Sequence, residues 1–338
     1  MALSRIGILT GGGDCPGLNA VIRACVRRAQ NSAVEVLGVH NGWQGLVDGN
    51  AEPLTSLSVA GILPKGGTIL GTSRTDPLRD PRDLERLRAH WLRFGLDGLV
   101  VVGGDGTLAA ARDVARHGLP LVAVPKTIDN DLLGTDCTFG FDTAVSTVME
   151  AIDRLHSTAE SHHRVMVVEV MGRHSGWIAA LGGLAGGADF ILIPEKPTRL
   201  ETLCGVLERR RRRGRGFSIV VVAEGAYFEG EPPPEHVGEG TSSGMGYRVA
   251  EAIARRLGVQ TRVTVLGHVQ RGGSPTSFDR ILATRFGIAA VDALLAGRSE
   301  VMVALRGTRV VEVPLAEATA GRRALDLEQF AAAEVFFG

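Results

Sequence analysis

Several runs in this 338-residue chain read as strands that are apolar throughout, not only at alternate positions, and end in glycines and an acid. GLVVVGGDGT at 98–107 is the clearest case, and RIGILTGGGD at 5–14 repeats the pattern. A strand buried on both faces has no solvent side, so it loses the period-two alternation. Further runs at 34–39, 121–124, 164–170, 190–193, 218–223 and 262–265 are separated by helical patterns. Those patterns fall at 18–30, 80–94, 107–117, 141–161, 200–212 and 246–257. Strands separated by helices predict parallel sheets with helices on both faces. The expected fold class is α/β: two three-layer αβα domains with mainly parallel sheets, the eight or so strands dividing near residue 142, and the active site in the cleft between the domains. Ligands in such sheets bind beyond the carboxyl ends of the strands, where the glycine and acid clusters fall.

Composition narrows the function classes. Lys plus Arg and Asp plus Glu both number 37, so a general affinity for nucleic acid or anionic membrane is not expected. Cys15, Cys25, Cys137 and Cys204 form no CxxC pair and no disulfide-like spacing, which fits a reducing, cytoplasmic setting. The start, MALSRIGILTGGG, enters a strand almost at once, without a signal-peptide apolar region. No apolar run reaches membrane-spanning length. The arginines at 209–213 and 215 read as a solvated helix end, with an anionic effector site as the sharper alternative. EGEPPPEHVGEGTSSG at 229–244 reads as a mobile loop.

Five segments carry the chemistry. In LTGGGDCPGLNAVIR (9–23) a strand meets three glycines and a helix start. That composition closes backbone N–H groups on phosphate, although a tight turn alone would also use it. No GxxxxGK[ST] occurs, so this is not a Walker loop. In VVGGDGT (101–107) Asp105 has no cation beside it in sequence. It reads as a Mg²⁺ handle or as a cap for the next helix. In PKTIDNDLLGTD (125–136) Asp129 and Asp131 stand two apart behind Lys126. Either acid can accept a proton from a substrate hydroxyl, or both can be turn residues. In VVEVMGRHSGWIA (167–179) Arg173 suits bidentate binding of phosphate or carboxylate, whereas His174 reads as a helix-start residue. In VTVLGHVQRGGSPTSFDR (263–280) His268 and Arg271 precede two glycines, and Glu224 after the 218–223 strand offers an acceptor for sugar hydroxyls. A donor cradle, a metal handle, a proton acceptor and cations together point to phosphoryl transfer onto a phosphorylated, hydroxyl-bearing small molecule.

In this order, and over almost the whole chain, the five segments resemble the phosphofructokinases, which phosphorylate fructose 6-phosphate at its 1-hydroxyl. The resemblance implies that Asp129 is the base, and that Thr127 and Asp131 bracket the transferring phosphoryl and its metal. Asp105 would serve Mg²⁺. Gly13, Gly104, Gly106 and Thr107 would line the nucleotide phosphates, with Arg74 and Thr75 of GTSRTDPLR meeting them. Ile128, Met171, Gly172, Arg173, Glu224, His268 and Arg271 would belong to the sugar-phosphate site, Arg173 also steadying transition-state charge. Arg164 and Arg262 would reach a neighbouring subunit's site, which implies a homo-oligomer, a homotetramer in the first instance. Residues 1–141 with about 270–310 would be the nucleotide domain, and 142–269 with about 311–338 the sugar-phosphate domain.

The donor is written at two positions. ATP enzymes of bacteria read PGTIDND, whereas this chain has Lys126, as pyrophosphate-dependent relatives do. Those relatives also carry an acid after the metal-site acid, where this chain has Gly106. The hybrid resembles the actinobacterial ATP-dependent branch. An acid at 106 would repel the α-phosphate of ATP, so the glycine is taken as decisive and ATP as the expected donor. A pyrophosphate-dependent enzyme and a non-catalytic sugar-phosphate sensor remain the alternatives, and sedoheptulose 7-phosphate an open acceptor. GGDGT alone would also fit a NAD or lipid kinase. Arg23, Arg27 and Arg154 match effector-site cations, but LTSLS at 54–58 lacks the expected arginine, which leaves allosteric control open.

Overall fold

The computed structural model describes residues 3–234 and 244–338, so most of the loop expected at 229–244 lies outside the described residues. The described chain divides into two units. The first comprises 1–128, 132–142 and 271–322, and the second 129–131, 143–270 and 323–338.

The first unit is built on seven strands: β1 (Arg5–Thr10), β2 (Glu35–Val39), β3 (Ala51–Leu54), β4 (Gly98–Gly103), β5 (Leu121–Pro125), β10 (Val301–Arg306) and β11 (Arg309–Pro314). Their order is β11-β10-β5-β4-β1-β2-β3. The five central strands run parallel, and the edge strands β3 and β11 are antiparallel to their neighbours. Leu9, Val101 and Ala123 lie in register on one face, in the core beneath α2 (Gly42–Asp48), α3 (Pro81–Phe94) and α4 (Asp105–Ala115). The opposite face meets α1 (Leu18–Gln30) and α9 (Ser277–Leu295). A Cβ on Gly98 would stand 3.0 Å from Leu294 of α9. Gly287 lets α9 approach α1, since a Cβ there would stand 2.8 Å from the Val21 carbonyl oxygen. A short α10 (Leu315–Ala318) follows β11.

The second unit carries four parallel strands, β6 (Val165–Val170), β7 (Phe190–Leu192), β8 (Ser218–Ala223) and β9 (Thr261–Val265), in the order β7-β8-β6-β9. Its helices are α5 (Phe141–His162, in this unit from residue 143), α6 (Trp177–Ala185), α7 (Leu200–Arg212), α8 (Met245–Leu257) and α11 (Leu327–Glu334). Gly183 of α6 packs on Val221, and Gly246 of α8 packs on Glu169. Because Glu169 pairs with Val222, the two helices cover opposite faces.

The α/β class and the mainly parallel sheets are as expected. β4, β6 and β8 are buried at every residue, which is why their sequences do not alternate. Three strands fall outside the expected runs. β3 is an edge strand containing Pro53, and β10 and β11 form a hairpin turning through Gly307 at φ +57°. The run at 209–213 is indeed a helix end, but Arg210 is not solvated: it pairs with buried Asp189 at 2.7 Å. Burial holds the Asp189 carboxyl above its ordinary range. All four cysteines are free, and burial pushes the Cys15 and Cys25 thiols well up. No described helix is long and apolar enough to cross a membrane.

Candidate active site

At the carboxyl edge of the first sheet, the glycine-rich turns after β1 and β4 meet the start of the turn after β5. Gly11 N–H donates to the Val102 carbonyl at 2.9 Å, and Lys126 N–H to the Gly103 carbonyl at 2.9 Å. Thr107 packs where Gly11 and Gly103 have no side chains, with its Cγ2 2.7 Å from the position of a Gly11 Cβ. The GTSRT segment is tied to the first turn by Thr72 Oγ1 to the Gly12 carbonyl (2.6 Å) and Gly12 N–H to the Ser73 carbonyl (2.8 Å). Arg74 is exposed beside these anchors, and Thr75 Oγ1 donates to Gln44 Oε1 at 3.0 Å. Lys126 is 3% exposed, and its ammonium donates to the Gly13 carbonyl. Gly13, Arg74, Thr75, Gly104, Asp105, Gly106, Thr107, Lys126, Thr127 and Ile128 thus share one unit.

Arg271 belongs to this unit as well. Its guanidinium lies across Gly13, where a Cβ would overlap it, and its buried Nε has no hydrogen-bond partner among the described residues. The resemblance put Arg271 with the sugar-phosphate residues; in the structure its guanidinium lies against Gly13 of the turn after β1.

TIDND crosses from one unit to the other, Thr127 and Ile128 in the first and 129–131 in the second. Asn130 adopts the left-handed conformation (φ +54°), which asparagine tolerates better than most residues. The loop is therefore irregular, and simple alternation does not decide where Asp129 and Asp131 point. Ser175 Oγ donates to the Asp129 carbonyl at 3.0 Å, and Arg323 N–H to the Asp131 carbonyl at 2.8 Å.

The second sheet gathers Met171, Gly172, Arg173, Glu224 and His268 at its carboxyl edge. Glu224 N–H donates to the Val170 carbonyl (2.8 Å), and Met171 N–H to Gln270 Oε1 (3.3 Å). Arg173 and His268 are exposed and Glu224 is half-buried. Arg164 and Arg262 lie at the other end. Arg164 immediately precedes β6, and Arg262 is the second residue of β9. β6 spans about 20 Å at roughly 3.3 Å per residue, so these two arginines stand apart from the carboxyl-edge group of their own sheet. Arg164 Nε donates to Gln260 Oε1 at 3.0 Å.

The turn holding Glu224 leans on the turn holding Arg173. A Cβ on Gly225 would overlap the Arg173 carbonyl oxygen, which is backbone and has little room to yield. Gly225→Ala is expected to lower stability by about 1–3 kcal/mol and to move both side chains together. Thermal unfolding is the check; a variant matching wild type would show that the turns yield independently.

Three residues that anchor these segments within their own units went unrecognised in the sequence. Gln270, fully buried, sits within the quoted HVQR but is neutral and gives no charge signal. Glu195 accepts from Gly176 N–H (2.9 Å) and Leu325 N–H (3.0 Å). Arg322 bonds the Asp105 carboxylate, Nη2 at 2.6 Å and Nε at 3.1 Å. Asp105 had no cation near it in sequence; the fold supplies one from 217 residues away.

Asp105 opens α4 behind the N-cap Gly104, and its Oδ1 accepts the Gly106 N–H at 2.7 Å. The carboxylate is half-exposed, and nothing lies within 4 Å of where a Gly106 Cβ would be. No group of three or more His, Cys, Asp or Glu that could hold a metal occurs among the described residues. One accessible carboxylate without a protein cage fits Mg²⁺, which keeps waters and shares its shell with substrate phosphates.

The family model described as Phosphofructokinase matches residues 5–294. The pyrophosphate–fructose 6-phosphate 1-phosphotransferase of Amycolatopsis methanolica is 52% identical, over 99% of this chain and 100% of that protein. ATP-dependent 6-phosphofructokinase 2 of Streptomyces coelicolor is 50% identical, over 98% of this chain and 100% of that protein. Among solved structures, Pichia pastoris phosphofructokinase in the T-state matches with a TM-score of 0.85 and 35% identity. That match covers 100% of this chain, which spans only 37% of the longer Pichia chain. With the motifs, the two α/β sheets and the matched span in agreement, the chain belongs to the phosphofructokinase family.

Proposed function

We propose that the protein is an ATP-dependent 6-phosphofructokinase, transferring the γ-phosphoryl of ATP to the 1-hydroxyl of D-fructose 6-phosphate. The open space at Gly106 carries the choice of donor. A nucleotide needs room for an α-phosphate beside the metal-holding carboxylate, and position 106 offers neither bulk nor charge against it. In this reading the first unit handles the donor through Gly13, Arg74, Thr75 and the turn at 104–107. The second handles fructose 6-phosphate through Met171, Gly172, Arg173, Glu224 and His268, and Arg271, in the first unit against Gly13, is a further phosphate ligand. Magnesium, held by Asp105 and the donor, would neutralise phosphate charge. Asp129 takes the proton from O1 as O1 bonds to the γ-phosphorus and the bond to the bridging oxygen breaks, releasing ADP. Thr127, Ile128 and Asp131 fix the loop around that exchange, and Lys126 and Arg173 offset the charge it develops.

Arg164 and Arg262, at the amino ends of β6 and β9, are proposed to complete a neighbouring copy's site, which makes the working form a homo-oligomer.

The second reading is pyrophosphate as donor. Lys126 buried against Gly13 favours it, and so does the pyrophosphate enzyme among the relatives. Initial rates with ATP or pyrophosphate against fructose 6-phosphate and sedoheptulose 7-phosphate separate the possibilities. ATP with fructose 6-phosphate is expected to give the highest kcat/KM. Turnover with pyrophosphate alone would overturn the donor assignment, and turnover with neither donor would leave a sugar-phosphate sensor.

A further inference from the structure

Asp105 is engaged on both oxygens, by the Gly106 N–H on Oδ1 and by Arg322 on Oδ2. Arg322 is not loosely placed. Its backbone forms an antiparallel bridge with Leu132, the residue after TIDND. Its successor Arg323 is pinned in turn, its N–H donating to the Asp131 carbonyl at 2.8 Å and its guanidinium 4.3 Å above the Trp177 ring. The side chain therefore starts from a fixed point, although it is half-exposed. An ion pair this exposed adds little to fold stability. Its consequence is local: the carboxylate that would hold a divalent cation already faces a guanidinium.

We propose that Arg322 is a positioning and specificity residue of the donor site, holding Asp105 in place of a metal so that cation capture depends on a polyphosphate arriving with it. The inference rests on the reading of Asp105 as the metal handle. A bare divalent cation approaching Oδ2 meets a like charge a few ångströms away. A cation already bound to a nucleotide arrives with net negative charge, and the same guanidinium then has phosphate oxygens to face, for which its fork geometry is suited. The contact thus discriminates against free metal and for the metal–polyphosphate complex. It also joins the C-terminal segment, 217 residues on, to the start of α4.

The test uses Mn²⁺ as the probe, titrated against the full-length protein without donor and followed by electron paramagnetic resonance of the free ion. Arg322→Ala is expected to bind Mn²⁺ about 5- to 10-fold more tightly than wild type, the effect of removing one nearby like charge in a partly solvated site. Arg322→Lys, which keeps the charge, should stay within about twofold of wild type on the same argument. With ADP present the gain from Arg322→Ala should vanish. Mn²⁺ affinity no higher in Arg322→Ala, or a gain undiminished by ADP, would overturn the proposal. The double variant Arg322→Ala/Asp105→Asn separates the two readings. If it binds Mn²⁺ as tightly as Arg322→Ala, Asp105 is not the metal handle, and the premise fails. If it loses the metal while Arg322→Ala shows no gain, only the role of Arg322 fails.

Discussion

Asp129→Asn is expected to retain fructose 6-phosphate affinity within a few-fold while kcat falls by about 10²- to 10⁴-fold, the usual worth of a positioned general base. The substitution is nearly isosteric. The loop has anchors outside the replaced carboxylate: the Ser175 hydroxyl on the Asp129 carbonyl, the left-handed Asn130, and the Arg323 N–H on the Asp131 carbonyl. The amide can still hydrogen-bond the sugar, but it cannot accept the O1 proton as phosphorus is attacked. Binding by calorimetry and turnover by coupled assay should therefore separate. Parallel loss of both would make Asp129 an ordinary ligand, and unchanged turnover would remove it from the chemistry altogether. Asn130 deserves the parallel variant Asn130→Gly, which keeps access to positive φ; it should preserve much of the rate if backbone conformation is what that residue contributes.

Chain-local signals were legible, and long-range ones were not. β8 could be read to the residue because a fully buried strand writes itself as an unbroken apolar run. The glycine turns could be read because close backbone packing excludes side chains: Thr107 sits where Gly11 and Gly103 have none. α9 escaped because exposed Phe278, Ile281 and Ile288 blur a stripe that is regular in the structure, from Leu282 through Phe286 and Ala290 to Leu294. The arrangement around TIDND was half legible. Its acids stand out by type, but their direction depends on Asn130, a residue whose sequence identity permits a left-handed turn without requiring one. Arg322 illustrates the limit most sharply. Nothing within its own segment, AGRRAL, distinguishes it from other surface arginines. Its partner is set by where β11 and α10 deliver the chain, which no local pattern encodes.

Gly106→Asp should do to the donor what Asp129→Asn does to the proton. The site for the new side chain is open: nothing lies within 4 Å of the Cβ position, and Gly106 is exposed in the first turn of α4. An acid there is favoured by the helix dipole, by about 0.3–1 kcal/mol, and replacing a helical glycine adds a similar amount. The variant should thus unfold no earlier than wild type, and any kinetic loss is chemical in origin. A carboxylate placed there would stand beside Asp105 and meet the α-phosphate of a nucleotide. One added like-charge contact in a partly solvated site is worth about 1–3 kcal/mol, or roughly 5- to 150-fold in kcat/KM for ATP. Pyrophosphate has no α-phosphate and no nucleoside to accommodate, so any activity with it should be spared. The ratio of the two donors is the quantity to measure, because it cancels errors in active-site concentration. A ratio unchanged by Gly106→Asp would show that position 106 does not set the donor. Lys126, buried on the Gly13 carbonyl, would then be the residue to replace next.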